Sequence, residues 1–226
     1  MSSVEADFDR LATLDEQGWT TNNHYHDLLL KHVPLNCELA LEIGCGTGAF
    51  ARLLGEKCKR VVAVDLSSEM ICAARQHSKE FRNIEFHQAD VMAMDLQSSH
   101  FDFICAIATL HHLDQAGLLT RMKAALKPGG VLVVLDLVES TTWFEKVMDL
   151  FAVVASSGLR LLKNGQLQQP PSVRKAWEEH GKHDHYLSLS QVRKMANEII
   201  PGAVVTRRFL WRYTLVYQKW TNLSLR

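Results

Sequence analysis

The amino-acid sequence predicts an α/β domain, a parallel sheet wound on both faces by helices and finished by an antiparallel hairpin. Three observations predict it. Short apolar runs alternate with helix-like stretches from residue 38 to residue 136. The runs are nearly continuous, as in Val131-Leu-Val-Val-Leu135, which marks parallel strands covered on both sides rather than strands with one wet face. Two further strand-like runs near the C-terminus abut too closely for a crossover helix, so they pair antiparallel.

The elements follow in order. Leu39–Ile43, Arg60–Asp65, Ile84–Gln88, Phe101–Ile107 and Gly130–Asp136 read as strands, with helices over Gly48–Glu56, Ser68–His77 and Gln115–Lys127 between them. Ser67 stands where an N-cap belongs. Lys127-Pro128-Gly129-Gly130 supplies a turn that stops one helix and starts the fifth strand. Such a βαβ succession takes right-handed crossovers. Thr142–Leu162 reads as a helix, apolar at Phe144, Val147, Met148, Phe151, Val154 and Ala155. Leu189–Ile200 reads as another, opened by the capping box Ser188-x-x-Gln191 and closed by Pro201-Gly202. Ala203–Leu210 and Arg212–Tyr217 form the hairpin, and Leu28–Leu30 lies on an N-terminal helix.

Composition narrows the class. With 226 residues, 47% hydrophobic and 22% charged, the chain suits one globular domain and neither a disordered segment nor a coiled coil. The five cysteines are odd in number and none forms a C-x-x-C pair, which removes a zinc ribbon and a thioredoxin-type motif. Free thiols, an acidic N-terminus without a signal-peptide core and no long apolar run point to a cytoplasmic chain with no membrane span. Net charge is zero, yet residues 160–226 hold 12 Lys/Arg against 4 Asp/Glu, so the front of the chain is acidic and the tail basic.

The most informative stretch is Leu39-Ala-Leu-Glu-Ile-Gly-Cys-Gly-Thr-Gly48. A strand runs into three glycines in G-x-G-x-G spacing and then a helix, a pattern that lets a ligand approach bare backbone beside a helix N-terminus. Asp65 ends the second strand, where an acid can accept hydrogen bonds from ribose hydroxyls. Gly44-x-Gly46-x-x-Ala49 also satisfies a dinucleotide fingerprint. Against an NAD-dependent dehydrogenase stand Glu42, a poor neighbour for a diphosphate, and four tyrosines none of which has a lysine four positions later.

Together these segments resemble the class I S-adenosylmethionine-dependent methyltransferases. LEIGCGTG is similar to their first motif, VVAVDLSSEM to the segment carrying the ribose acid, and FHQADVM to the adenine-edge motif. FDFICAIATLHHL resembles their fourth strand and its loop, LKPGGVLVVLD their fifth strand, and RRFLWRYTLVYQKW the closing hairpin of small bacterial members. The resemblance covers about residues 36–136 and 188–220. It implies a Rossmann-like seven-stranded sheet of order 3-2-1-4-5-7-6 with the last strand antiparallel. It also implies S-adenosyl-L-methionine as cofactor and methyl transfer by in-line displacement.

The resemblance places the cofactor's tail at Gly44, Cys45, Gly46 and Gly48 with Glu42 behind them. Asp65 would hold the ribose, Asp90 and Val91 the adenine edge, Leu66 and Met70 its face, and Ala106–Ala108, with Ile107 between, the cleft beneath the sulfonium. Tyr25 and His26, on the N-terminal helix, are candidates to cap the site. His111 and His112 follow the fourth strand, where a histidine can take a proton from an acceptor; a structural role is the competing expectation, as a helix N-cap is for Asp90.

One domain over residues 1–226 is expected, with a helical cap at 1–35, an acceptor-selecting lid at 137–187 and the hairpin at 203–219. Trp143, Phe144, Trp177 and Tyr186 are the candidate walls, which suits a small, partly apolar acceptor. His183-Asp184-His185 offers too few ligands for zinc, so no metal is expected. Arg207, Arg208 and Arg212 give an RNA or protein methyltransferase as the alternative, and a non-catalytic cofactor-binding protein is the other. Nucleic acid is not the expected partner, and a monomer or weak homodimer is.

Overall fold

The computed structural model describes residues 3–12, 18–181 and 184–220. Its centre is a seven-stranded sheet in the order β3-β2-β1-β4-β5-β7-β6. The strands are β1 Leu39–Ile43, β2 Arg60–Asp65, β3 Ile84–Gln88, β4 Phe101–Ile107, β5 Leu126–Leu137, β6 Val204–Arg208 and β7 Arg212–Gln218. The first five pair in parallel, and β7 runs antiparallel to both β5 and β6. The expected order and the single reversed strand are both present.

Every residue of β1 is buried, because the strand sits between β2 and β4 with helices on either face. Alternate side chains therefore feed two cores. Leu41, Ile43, Ile104 and Leu132 point to one, while Ala40, Ala63, Phe103 and Val133 point to the other. The connecting helices α3 Ala49–Gly55, α4 Ser68–His77 and α5 Gln115–Ala125 cover those faces. Ser67 caps α4 by accepting from the Met70 N–H at 3.0 Å.

Two expectations need correction. Lys127-Pro128-Gly129-Gly130 does not separate helix from strand: β5 already begins at Leu126, opposite Phe101, and a register shift between Phe101 and Phe103 absorbs the bend. The long helix α6, Trp143–Asn164, begins and ends within two residues of the expected span. Trp143 and Phe144, expected to wall the acceptor site, are not covered, and among the helix's residues only Ala152 is buried. Trp143 is 77% exposed and Phe144 60%.

The remaining helices flank the sheet and its carboxyl edge. They are α1 Ser3–Ala12, a 3₁₀ turn at Asn23–Tyr25 leading into α2 His26–Leu30, α7 Pro171–His180, and α8 Leu189–Ile199, the last packed beside α5 and β6. Asn164 at the end of α6 ties this layer together, accepting from the Trp19 N–H at 2.7 Å and donating to the Trp19 carbonyl at 3.0 Å. The chain's acidic front and basic tail also meet, for Arg207 lies 3.3 Å from Glu145 and 3.5 Å from Asp149. All five cysteines are free thiols.

Candidate active site

Parallel strands that end together leave a crevice at their carboxyl edge where the winding direction changes. Here that edge opens into a cavity of about 620 Å³ lined by Gly44, Asp65, Asp90, His111, Trp177 and Tyr186 among others. A second hollow of about 570 Å³, lined by Glu42, Cys45, Arg52 and His26, shares Thr20, Asn22, Gly44, Gly46 and Ile107 with it.

The glycine loop forms their common wall. Gly44 has φ +71°, and a Cβ there would sit 2.1 Å from the Thr109 hydroxyl oxygen, so only glycine fits. Its N–H and that of Cys45 both donate to the Val64 carbonyl, at 2.8 and 3.0 Å. The Gly46 N–H donates to Asp65 at 2.8 Å, and the Ser67 N–H reaches the other carboxylate oxygen at 3.0 Å. The Leu66 N–H also donates to this carboxylate, which still keeps acceptor capacity for a ligand. Burial raises the Asp65 carboxyl above its ordinary range, opposed by these N–H groups.

Glu42 lies deeper. Its side chain is buried, and Oε2 has no hydrogen-bond partner. Burial first, and the neighbouring Asp65 carboxylate second, push its carboxyl well above the ordinary carboxylate range. An orphaned buried acid facing a hollow is costly unless a cation or donor meets it. His26 lines the same hollow against the Phe50 ring, and desolvation lowers its pKa to about 4.

At the far end of the larger cavity stands a cluster drawn from four separate segments. His111 is held by Asp136 at the end of β5: Nδ1 is 2.6 Å from Oδ1, and the His111 main-chain N–H donates to Oδ2 at 3.0 Å. The His112 ring packs on it with centroids 3.8 Å apart, and His112 Nδ1 lies 3.2 Å from Asp184. His180, the last residue of α7, brings Nε2 to 3.4 Å from His112 Nε2. Asp184 also accepts from the Tyr186 hydroxyl at 2.8 Å. Burial is the main reason the His112 pKa falls to about 4, with the His111 charge next. Phe8 of α1 covers His112 and His180 edge-on.

Most of the expected site residues gather here. Gly44, Gly46, Asp65, Leu66, Met70, Asp90, Val91, Ile107, His111 and His112 line the larger cavity, and Glu42, Cys45 and His26 the smaller. Asp90 is not a helix N-cap. Its side chain accepts from the Met92 N–H at 2.8 Å in a turn.

Five expectations fail. Gly48 lines neither hollow; its Cα faces Phe86 and Ala74, where a Cβ would come within 3.0 to 3.2 Å, so it serves helix–sheet packing. Ala106 is buried inside the sheet opposite Ile43 and Val134. Tyr25 turns away, its hydroxyl donating to the Phe209 carbonyl. Trp143 and Phe144 point to solvent on α6 instead of walling the cavity, whereas Trp177 and Tyr186 do line it. His183 lies outside the described residues. The basic tail is engaged within the chain as well: Arg208 bonds Thr214, and Arg212 bonds Thr21 and Asn22.

Known proteins bear on this arrangement. A family model described as a methyltransferase domain matches residues 41–134. A methyltransferase of Mycobacterium tuberculosis is 30% identical over 206 residues, spanning 89% of this chain and 96% of that one. The chain belongs to the class I S-adenosylmethionine-dependent methyltransferases. This methyltransferase is also similar to the ubiquinone biosynthesis O-methyltransferase of Xylella fastidiosa, 32% identical over 162 residues that cover 68% of this chain and 64% of that one. Among solved structures, the N-methyltransferase NodS of Bradyrhizobium japonicum, in complex with S-adenosyl-L-homocysteine, shares the fold at a TM-score of 0.64. It is 18% identical and covers 96% of this chain and 99% of that chain. Among the described residues, no helix of the methyltransferase is long and apolar enough to cross a membrane.

Proposed function

We propose that this enzyme methylates an oxygen of a small, partly apolar organic acceptor. The observation that carries the reading is the shape of the larger cavity, which runs from Asp65 and Asp90 at one end to His111 and His112 at the other. The donor's residues fit. Glu42, buried with Oε2 free of a hydrogen-bond partner, suits the ammonium of the cofactor's amino acid tail, and the open loop at Gly44–Gly46 suits its carboxylate. Asp65 keeps lone pairs for the ribose, Asp90 and Val91 border the adenine edge, and Leu66 and Met70 its face. Bound there, S-adenosyl-L-methionine supplies a methyl group already activated on a sulfonium, which an acceptor lone pair displaces in line.

The chain's own part is to bind, orient and keep water out. The described parts of the 1–35 and 137–187 segments act as the lid: Phe8 and Trp177 close over the histidine end, and Asn164 pins the lid's long helix to Trp19. Asp136 holds the His111 ring so that Nε2 faces the cavity, and the histidine end assists removal of the acceptor's proton.

Incubating the full chain with S-adenosyl-L-methionine and panels of phenols, carboxylic acids and amines tests this by release of S-adenosylhomocysteine. Turnover is expected with oxygen acids, and His111→Ala should lower kcat roughly 100-fold or more. Turnover confined to amines, to RNA or to protein would sink the reading. The RNA alternative is weakened by the in-chain partners of Arg207, Arg208 and Arg212, and a salt titration of RNA binding with no slope would dispose of it.

A further inference from the structure

The histidine end is built more elaborately than proton removal by one ring requires. His111, His112, His180 and Asp184 come from the loop after β4, the end of α7 and the segment beyond it, yet their side chains converge with no more than 7% exposure each. One ligand atom from each of His111, His112 and Asp184 lies within 4.8 Å of the others. We infer that His111, His112 and Asp184 bind a divalent transition-metal ion of the zinc class at the acceptor end of the cavity. The inference deepens the reading above and rests on it: the ion would hold the acceptor's oxygen beside the methyl donor.

Three features argue for an ion over a hydrogen-bonded cluster. The first is the direction of the lone pairs. Asp136 accepts from the Leu137 N–H at 2.8 Å as well as from His111, a carboxylate environment that puts the His111 proton on Nδ1. Nε2 then offers a lone pair toward the Asp184 carboxylate, 3.8 Å away, which is beyond hydrogen-bond reach. Asp184 Oδ2 accepts from the Tyr186 hydroxyl as well, and a cation in the gap would meet both this oxygen and the His111 lone pair.

The second is spacing. Donor atoms about 2.0–2.2 Å from one ion stand roughly 3 to 3.7 Å apart in tetrahedral or five-coordinate shells. The separations here are 3.2 Å from His112 Nδ1 to Asp184 and 3.8 Å from His111 Nε2 to Asp184. The third is the outer layer. Metal-bound histidines give their second nitrogen to a carboxylate or carbonyl. His111 faces Asp136 at 2.6 Å in that way, and His112, with Nδ1 toward Asp184, turns its Nε2 to the His180 ring at 3.4 Å. Two histidines and a carboxylate leave coordination positions free on the cavity side, as catalytic sites do and structural zinc sites do not.

The chemistry balances without a further reactant. An acceptor hydroxyl coordinated to the ion loses its proton to solvent, since a bound cation lowers the pKa of such a group. The oxygen's electron pair forms the bond to the methyl carbon, the carbon–sulfur pair goes to sulfur, and the neutral thioether leaves.

The test uses tag-free full chain stripped with chelator, with S-adenosylhomocysteine calorimetry run beside each measurement. Equilibrium dialysis should retain one Zn²⁺ per chain. Co²⁺ substitution should give the visible bands of a low-coordinate nitrogen–oxygen site without a thiolate charge-transfer band. Asp184→Ala should weaken Zn²⁺ binding more than tenfold, and Asp136→Asn, which touches no ion, roughly 10–100-fold. No stoichiometric Zn²⁺ in a chain that binds S-adenosylhomocysteine would overturn the inference. So would a thiolate band from Cys72, or Zn²⁺ affinity unmoved by Asp184→Ala. Stoichiometric Zn²⁺ in a wild-type chain that turns over amines alone would support the metal site and overturn the oxygen-acceptor reading.

Discussion

The two ends of the cavity are made differently. The donor end is built around the main chain of one loop, with side chains from the ends of neighbouring strands: Gly44 and Cys45 donate to the Val64 carbonyl, and Gly46 donates to the Asp65 carboxylate. The acceptor end is built from side chains contributed by α1, the loop after β4, β5, α7 and residues 184–186. A site made of bare backbone is fixed by the sheet and tolerates almost no change. A site made of converging side chains is adjustable one residue at a time, and it depends on a lid staying docked. The donor end should therefore fail abruptly and the acceptor end gradually.

The largest effect is expected at Gly44. An alanine Cβ would meet the Thr109 hydroxyl at 2.1 Å in a backbone held at φ +71°. Overpacking of this kind costs roughly 1–3 kcal/mol, and left-handed backbone on a non-glycine residue adds roughly 1–2 kcal/mol. Gly44→Ala should lose measurable S-adenosylhomocysteine binding and several degrees of Tm. An affinity within tenfold of wild type would show that the loop can yield, and the contrast between the ends would fall.

Glu42 comes next. Glu42→Gln keeps the shape and removes the charge, so S-adenosylhomocysteine affinity should fall roughly 10- to 100-fold. The ligand-free protein should respond in the opposite sense. A carboxyl whose folded pKa is raised binds its proton longer in the native state than in the unfolded one. Stability therefore declines as pH rises above the unfolded value, because the fold must then carry an unpaired buried charge. Melting curves of apo wild type and Glu42→Gln should diverge as pH rises from about 5 to about 8, with the variant the more stable. Parallel curves would mean that Glu42 is already compensated within the chain.

The same division explains what was legible beforehand. The central strands were readable because parallel strands buried on both faces are apolar without interruption, as β1 is, while the edge strand β3 alternates; Gly44, Asp65 and Asp90 stand at or just past the ends of these strands. The acceptor half was not. Asp136, His180 and Asp184 meet His111 and His112 only through tertiary folding, and nothing local distinguishes His180 at the end of a polar helix from a solvated residue. The helix α7 itself was missed, although Pro171 at its first turn was a usable signal. Trp143 misled in the other direction: its apolar stripe has helical spacing, but periodicity says which residues share a face and not what that face meets.

A smaller effect is expected in the second hollow, beside Glu42. His26 has its pKa lowered to about 4 by burial. The unfolded chain thus binds a proton that the folded one refuses between pH 6.5 and 4, so stability falls as pH drops through that window. The limit is about 3 kcal/mol, less whatever water reaches the ring. His26→Gln should flatten the acid limb of the Tm profile, and an unchanged limb would place the acid sensitivity elsewhere.

The smallest effects discriminate best at the acceptor end, where two tryptophans carry opposite expectations. Trp177 is 40% exposed but lines the cavity and packs edge-on against His180, with ring centroids 5.8 Å apart. Removing it should raise the acceptor KM roughly tenfold while leaving S-adenosylhomocysteine affinity alone. Trp143 is 77% exposed on α6 and touches neither hollow, so Trp143→Ala should leave both constants within about twofold. If Trp143→Ala instead raises KM as Trp177→Ala does, the lid closes further in solution than in this arrangement, swinging α6 onto the acceptor. The side-chain end of the cavity would then include a wall that the present docking leaves in water.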